Sequence, residues 1–165
     1  MGEAREVFKP VTIVFMRHGK AEEARAGVSD WERRLTADGR RVVECVAKHV
    51  GLKPDVILTS PLVRAVETAE ITSKALGGVP VIKEWALEPE SFSFNELESL
   101  IMKYVGKTLM LVGHSPSMES VVATVLGCES FKIPPAGVVG VEIVKLEPKG
   151  GLLKFYLTPE VLKCV

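Results

Sequence analysis

The chain is expected to fold as an α/β three-layer sandwich, a mostly parallel sheet with helices on both faces. Three observations predict this. Short runs rich in β-branched and apolar residues recur along the chain, each too short for a stable helix. Between them lie longer stretches whose apolar residues fall at helical spacing. Strands and helices that alternate in this way form parallel sheets covered on both faces.

Each element has its own justification. Val11-Thr12-Ile13-Val14-Phe15-Met16 reads as a buried strand that ends in Arg17-His18-Gly19. A charged loop of small residues follows over 20–34 and contains Asp30 and Trp31. Thr36 is a candidate N-cap for a helix over 37–50, where Val42, Val43, Val46, Ala47 and Val50 fall on one face and Gly51 closes it. Residues 55–59 form a second strand. Ser60-Pro61 then offers a capping hydroxyl and a first-turn proline for a helix over 61–76, stopped by Gly77-Gly78. A short strand over 79–82 and a loop over 83–91 precede a helix over 94–105. The strand at 108–112 ends in Gly113-His114-Ser115-Pro116, from which another helix starts. Residues 138–146 and 152–157 read as a closing antiparallel hairpin. With no internal repeat or low-complexity linker, a single domain over 1–165 is expected, residues 1–10 being a polar lead-in.

Composition narrows the function. At 165 residues the chain can bury a proper core, and 47% hydrophobic with 25% charged residues is ordinary for a globular protein. Lys+Arg and Asp+Glu both number 21, so no basic excess points to nucleic acid or to a membrane surface. No stretch is apolar enough to span a bilayer, and Met1-Gly2-Glu3-Ala4-Arg5-Glu6 is too polar for a signal peptide, so a cytoplasmic protein is expected. Cys45, Cys128 and Cys164 are scattered and odd in number, which argues against a disulfide framework or a zinc site and fits a reducing compartment. His49, near the end of its helix, reads as a partner for the helix dipole.

The chemistry gathers at three strand ends. In a parallel sheet the carboxyl ends share one edge, where ligands bind. Arg17-His18-Gly19, Ser60-Pro61 with Arg64, and Gly113-His114-Ser115 would therefore meet in one pocket. Arg17 and Arg64 supply planar forks suited to phosphate oxygens, and two helix starts add free N–H groups. Gly19 is read as letting the backbone turn and a ligand approach closely. A neutral imidazole at His18 is a competent nucleophile, and His114 can donate to an oxyanion as charge builds.

These residues carry a resemblance. Arg17-His18-Gly19, the run Ser60-Pro61-Leu62-Val63-Arg64-Ala65-Val66-Glu67-Thr68-Ala69 and Gly113-His114-Ser115 resemble the histidine phosphatase superfamily, with its phosphoglycerate mutase-like fold. The compact length and Asp30-Trp31-Glu32-Arg33-Arg34-Leu35-Thr36-Ala37-Asp38-Gly39 resemble its SixA-type phosphohistidine phosphatase branch, with Arg34 where that branch often has proline. The match runs over roughly residues 12–127. The resemblance implies His18 as nucleophile and Arg17, Arg64 and His114 as the phosphate pocket; from the residues themselves, Gly19 and Ser115 are added as phosphate-binding, Ser115 as an N-cap through its backbone N–H. The resemblance also implies a phosphorylated protein as substrate, and neither cofactor nor metal. Esterases and mutases of the superfamily also use a carboxylic acid that protonates the leaving alkoxide. Glu84, Glu88 and Glu90 lie in the corresponding region, and Glu88 is the candidate, although as loop residues all three read first as solvated charges. SixA-type members often lack this acid, because imidazole is already a good leaving group.

The alternatives are a small-molecule phosphomonoesterase or mutase of the same superfamily, and a module that binds a phosphorylated ligand without turnover. A nucleophile elbow around Ser115 fails, since Ser117 stands where glycine is needed and no histidine follows. Neither Trp31 nor Trp85 acquires a role from the sequence.

Overall fold

The structure, a computed structural model, describes residues 7–165. The expectations for Met1 to Glu6, and so part of the polar lead-in, lie outside the described residues. Among those described, six strands form one sheet in the order β3-β2-β4-β1-β5-β6. These are β1 (Val11–Arg17), β2 (Val56–Thr59), β3 (Val81–Lys83), β4 (Leu109–Gly113), β5 (Val138–Ile143) and β6 (Gly151–Leu157). The first four run parallel, and β5 and β6 close the far edge antiparallel.

Alternation along the strands builds the two cores. Ile13, Phe15, Leu58, Leu109 and Leu111 face one side, where α3 (Phe94–Lys103) and α4 (Ser117–Leu126) pack through Leu97, Leu100, Val121 and Val125. Val14, Met16, Ile57, Met110 and Val112 face the other, against Val42, Val43 and Val46 of α1 (Ala37–Ala47) and Ala65 and Ala69 of α2 (Val63–Ala75). The period of two puts adjacent residues into opposite cores, which is why the inner parallel strands β1, β2 and β4 are nearly continuous apolar runs, whereas β3, at the sheet edge, is largely exposed. This is the expected three-layer sandwich.

Helix starts are where sequence and structure part. Thr36 caps α1 as expected, accepting from the Gly39 N–H at 2.9 Å. The helix ends at Ala47, however, and Val50 is reached through a tighter turn in which the His49 and Val50 N–H groups bond Val46 and Ala47. Pro61 is not the first residue of α2, which begins at Val63 with no side-chain cap. Ser60 is held instead in a turn, accepting from the Leu62 N–H at 3.3 Å and facing His114. Likewise α4 begins at Ser117, and the Ser115 hydroxyl caps nothing.

The cysteine expectation is overturned. Cys45 on α1 and Cys164 in the C-terminal tail form a disulfide, with Cα atoms 5.8 Å apart. The tail docks on α1, where Arg41 Nη1 donates to the Cys164 carbonyl at 3.0 Å, and Cys164 is 2% exposed. A separation of 119 residues carries no local spacing signal, so only the tertiary docking reveals the pair. Cys128 is free and exposed.

Candidate active site

Strand register places the three signatures side by side. β4 lies between β1 and β2, with Arg17 opposite Gly113 and Thr59 opposite Val112. The ladder continues one step beyond the strands: the His18 N–H bonds the Gly113 carbonyl and the Ser60 N–H bonds that of Val112, both at 3.0 Å. His18, His114 and Ser60 therefore leave the sheet together at its carboxyl edge. There they open into a cavity of about 410 Å³ lined by Arg17, His18, Gly19, Lys20, Asp30, Arg33, Arg64, Pro89, His114, Ser115 and Pro135, among others.

The two imidazoles lie with ring centroids 5.1 Å apart. His18 Nδ1 is 2.7 Å from its neighbour's carbonyl, Gly19 O, which can only accept; the neutral ring therefore carries its proton on Nδ1 and leaves a lone pair on Nε2. Arg64 Nε lies 3.4 Å from that Nε2. His114 Nε2 is 2.8 Å from Ser60 Oγ. Ser60 Oγ accepts from the Leu62 N–H and keeps a proton it can donate to His114 Nε2, an arrangement in which the neutral imidazole carries its own proton on Nδ1. That Nδ1 has no partner. Among the described residues, the buried side-chain nitrogen and oxygen atoms without one are Arg17 Nε, His114 Nδ1 and Ser115 Oγ, and all three belong to this site. Buried polar atoms are nearly always paired, so three together mark a place built to meet a polar ligand.

Arg64 is 5% exposed and is oriented by the loop before α1. Its Nη1 donates to the Asp30 carbonyl at 2.7 Å and its Nη2 reaches Asp30 Oδ2 at 3.2 Å. Asp30 also accepts from Arg33 Nε at 2.9 Å. Arg17 Nη1 is tied to the Ile133 carbonyl at 3.0 Å, whose own N–H bonds Glu119. Four cationic side chains thus surround one carboxylate, although the whole chain is neutral.

Burial governs the ionisation of the site. It pushes His18 from its ordinary 6.5 down to about 4; the Gly19 hydrogen bond works against this, and the positive charges of Arg64, Arg17 and Arg33 add to it. His114 falls to about 3, again first by burial and then by His18 and Arg64. Both rings are neutral at physiological pH. Burial alone would raise Asp30, but Arg33 and Arg64 outweigh it and hold the carboxyl below its ordinary value. Burial also lowers Arg17 and Arg64, which as guanidiniums stay protonated.

Every residue expected in the phosphate pocket (Arg17, His18, Gly19, Arg64, His114 and Ser115) lines this cavity. Two details differ from expectation. The space a glycine leaves at position 19 is taken by α1: a Cβ there would lie 2.5 Å from Val43 Cγ2 and 3.2 Å from the Gly39 carbonyl oxygen. The Gly19 N–H already donates to Thr68 Oγ1 at 3.1 Å. Of the three glutamates, none lines the cavity; Pro89 does. Glu84 is bonded to Lys103 and Tyr104, at 2.9 and 2.5 Å. Glu88 ends the turn Trp85–Leu87 and makes no side-chain hydrogen bond among the described residues. Sequence reasoning did not single out Asp30, Arg33 or Lys20 for the site, nor Ser60 as the partner of His114. Asp30 and Arg33 belong to the stretch that carries the branch resemblance, which was the available signal.

Metal-ligating side chains cluster elsewhere. Cys45, His49 and Cys164 bring ligand atoms within 4.8 Å of one another, but the disulfide uses both sulfurs. His49 Nδ1 lies 2.8 Å from the Cys45 carbonyl, a last-turn contact of the kind expected for it. No helix among the described residues is long and apolar enough to cross a membrane.

Comparison with known proteins gives a family and a fold. The family model described as Histidine phosphatase superfamily (branch 1) matches residues 13–91. An uncharacterized protein of Picosynechococcus is 34% identical over 113 residues, covering 64% of this chain and 67% of the relative. A 2,3-bisphosphoglycerate-dependent phosphoglycerate mutase of Nocardia farcinica is 36% identical over 89 residues, 49% of this chain. This chain spans only 36% of that mutase's length. Among solved structures, SixA of Agrobacterium tumefaciens superposes with a TM-score of 0.77 at 24% identity, over 92% of this chain and 100% of that one. The protein histidine phosphatase SixA solved with tungstate gives 0.74, also at 24%, over 92% and 99%. At this identity the likeness is one of fold.

Proposed function

The chain belongs to the histidine phosphatase superfamily, and we propose that within it the protein is a metal-independent phosphohistidine phosphatase. His18 Nε2 attacks the phosphorus of a phosphorylated imidazole. The N–P bond to the substrate breaks, and the departing imidazole, protonated at the far nitrogen, leaves with its electron pair. Water then attacks the phosphorus of phospho-His18, releasing inorganic phosphate and the free imidazole. Arg17 and Arg64 hold the phosphoryl oxygens, and the His114 Nδ1–H and Ser115 donate to them as charge builds. Asp30 aims Arg64, and Ser60 sets the His114 tautomer.

One observation favours phosphohistidine over a phosphate ester. Among the described residues, the one carboxyl group lining the cavity is Asp30, which Arg33 and Arg64 hold as the anion. An alkoxide leaving group needs a proton donor, and an ionised Asp30 cannot supply one; an imidazole leaving group needs none. Neutral His18 supports the nucleophilic role, since protonation would remove its lone pair.

The test compares phosphate release from a phosphohistidine-bearing protein and from a simple monoester, with a chelator present, for the wild type, His18→Ala and Glu88→Gln. The expected result is preference for phosphohistidine that survives chelation, vanishes in His18→Ala and is unchanged in Glu88→Gln. Faster monoester turnover, depressed by Glu88→Gln, would move the protein to the esterase and mutase side of the superfamily. No release from either substrate would make it a binding module.

A further inference from the structure

Two tryptophans stand exposed beside the site. Trp31 is 40% and Trp85 62% exposed, yet their rings face each other with centroids 5.6 Å apart. They come from two short turns far apart in sequence, Asp30–Glu32 and Trp85–Leu87. Each turn is coupled to the cavity: Asp30, beside Trp31, lines it, and the Trp85 turn runs through Glu88 to Pro89, which also lines it. The largest side chains are normally the ones a fold hides, and an exposed aromatic pair on the rim of a site is a surface waiting for apolar or cationic cover.

Charge narrows what that cover is. Within the segments 30–32 and 84–90, flanked by Arg33, Arg34 and Lys83, every ionisable residue is acidic: Asp30, Glu32, Glu84, Glu88 and Glu90. Asp30 is paired with Arg33 and Arg64, and Glu84 with Lys103. Glu32, Glu88 and Glu90 have no ion-pair partner among the described residues, and Glu32 and Glu90 are exposed. Two exposed indoles with unpaired carboxylates in the same short segments favour a guanidinium or ammonium group, which can bind a ring face and an acid at once. The cavity itself, at about 410 Å³, has room for a phosphorylated side chain but not for the polypeptide bearing it, which must cross the rim.

We propose that Trp31 and Trp85 are the docking platform for the phosphorylated polypeptide, and that they select one with an arginine or lysine next to the phosphorylated residue. This rests on the phosphohistidine reading, and it names what that reading leaves open, the sequence around the phosphorylated residue. The indoles take no part in the chemistry.

The test uses two phosphohistidine peptides that differ only in Arg or Glu beside the phosphorylated residue, with phosphoramidate as a substrate too small to reach the rim. Wild type, Trp85→Ala and Trp31→Ala are compared under steady-state conditions. Wild type is expected to prefer the Arg peptide through KM. Each alanine variant should lose about fivefold of that preference, the size of one exposed cation–π contact, and hydrolyse phosphoramidate at the wild-type rate. The proposal is overturned if the preference survives both substitutions. It is also overturned if phosphoramidate turnover falls in step with peptide turnover, because the pair would then serve only to hold Asp30 against Arg64. Failure of the wild type on all three substrates would defeat the phosphatase reading and this proposal with it. Turnover of all three with no effect of the tryptophans would defeat the docking proposal alone.

Discussion

Two neutral imidazoles buried at one strand edge should make the fold sensitive to mild acid. In the unfolded chain both histidines titrate near the ordinary 6.5, whereas in the fold His18 titrates at about 4 and His114 at about 3. Folded values lie below unfolded ones, so the unfolded state binds more protons and stability falls as pH drops through this window. At pH 5 both folded rings are still neutral, and an unfolded histidine is about 1.5 pH units below its pKa. Each therefore costs about 2 kcal/mol relative to pH 8, or about 4 kcal/mol for the two. Their mutual repulsion hardly matters there, because neither is charged in the fold. Urea unfolding of wild type and of a His18→Ala/His114→Ala variant, at pH 8 and pH 5, measures the effect. Wild type should lose about 4 kcal/mol that the variant keeps, a large share of a typical 5–15 kcal/mol. An equal loss in both proteins would show that burial does not depress the two histidines below their ordinary value.

Two further outcomes follow from the geometry. Arg64→Ala should lower kcat for phosphohistidine hydrolysis by at least about 10²-fold, the cost of a lost oxyanion donor; kinetics like the wild type would place Arg64 outside the reacting assembly despite its 3.4 Å approach to His18 Nε2. Cys164→Ser should cost up to about 5 kcal/mol of stability relative to wild type in its disulfide form, the chain-entropy value for a separation of 119 residues; an unchanged denaturation midpoint, read beside a thiol titration that shows the wild-type bond intact, would show that the bond carries no stability.

Much of the site was legible because the chemistry sits where strands end, and strand ends are visible in sequence. Apolar runs of three or four residues that stop at Arg17-His18, Thr59-Ser60 and Gly113-His114 needed only a parallel sheet to bring them together. The order β2-β4-β1 then makes the three ends immediate neighbours. What the sequence hid depends on pairings across long separations. Ser60 has the residue type and setting of a helix cap, and only the position of His114, 54 residues on, turns its hydroxyl inward. Cys45 and Cys164 look like stray thiols until the tail docks on α1. Gly19 looks like a glycine that admits a ligand, whereas the nearest atom to its missing Cβ is Val43 Cγ2.

Asp30 is the residue in which these strands of argument meet. A carboxylate in an anion site is unfavourable for the anion, so its presence needs a compensating reason. Without it, Arg64 and Arg33 would face each other with no carboxylate between them, and the long Arg64 side chain would lose the bonds that tie it to the turn at Asp30. Asp30 binds Nη1 through its backbone and Nη2 through Oδ2, which leaves the Nε edge of Arg64 turned toward His18. The arginine is thereby aimed before any phosphoryl group arrives, and the cost of ordering it is met in folding rather than in the transition state. The same ion pairs keep Asp30 ionised and so deny the site a general acid. On the proposed phosphohistidine reading, one carboxylate thus both orients the Arg64 fork and favours a leaving group that departs without a proton from the enzyme.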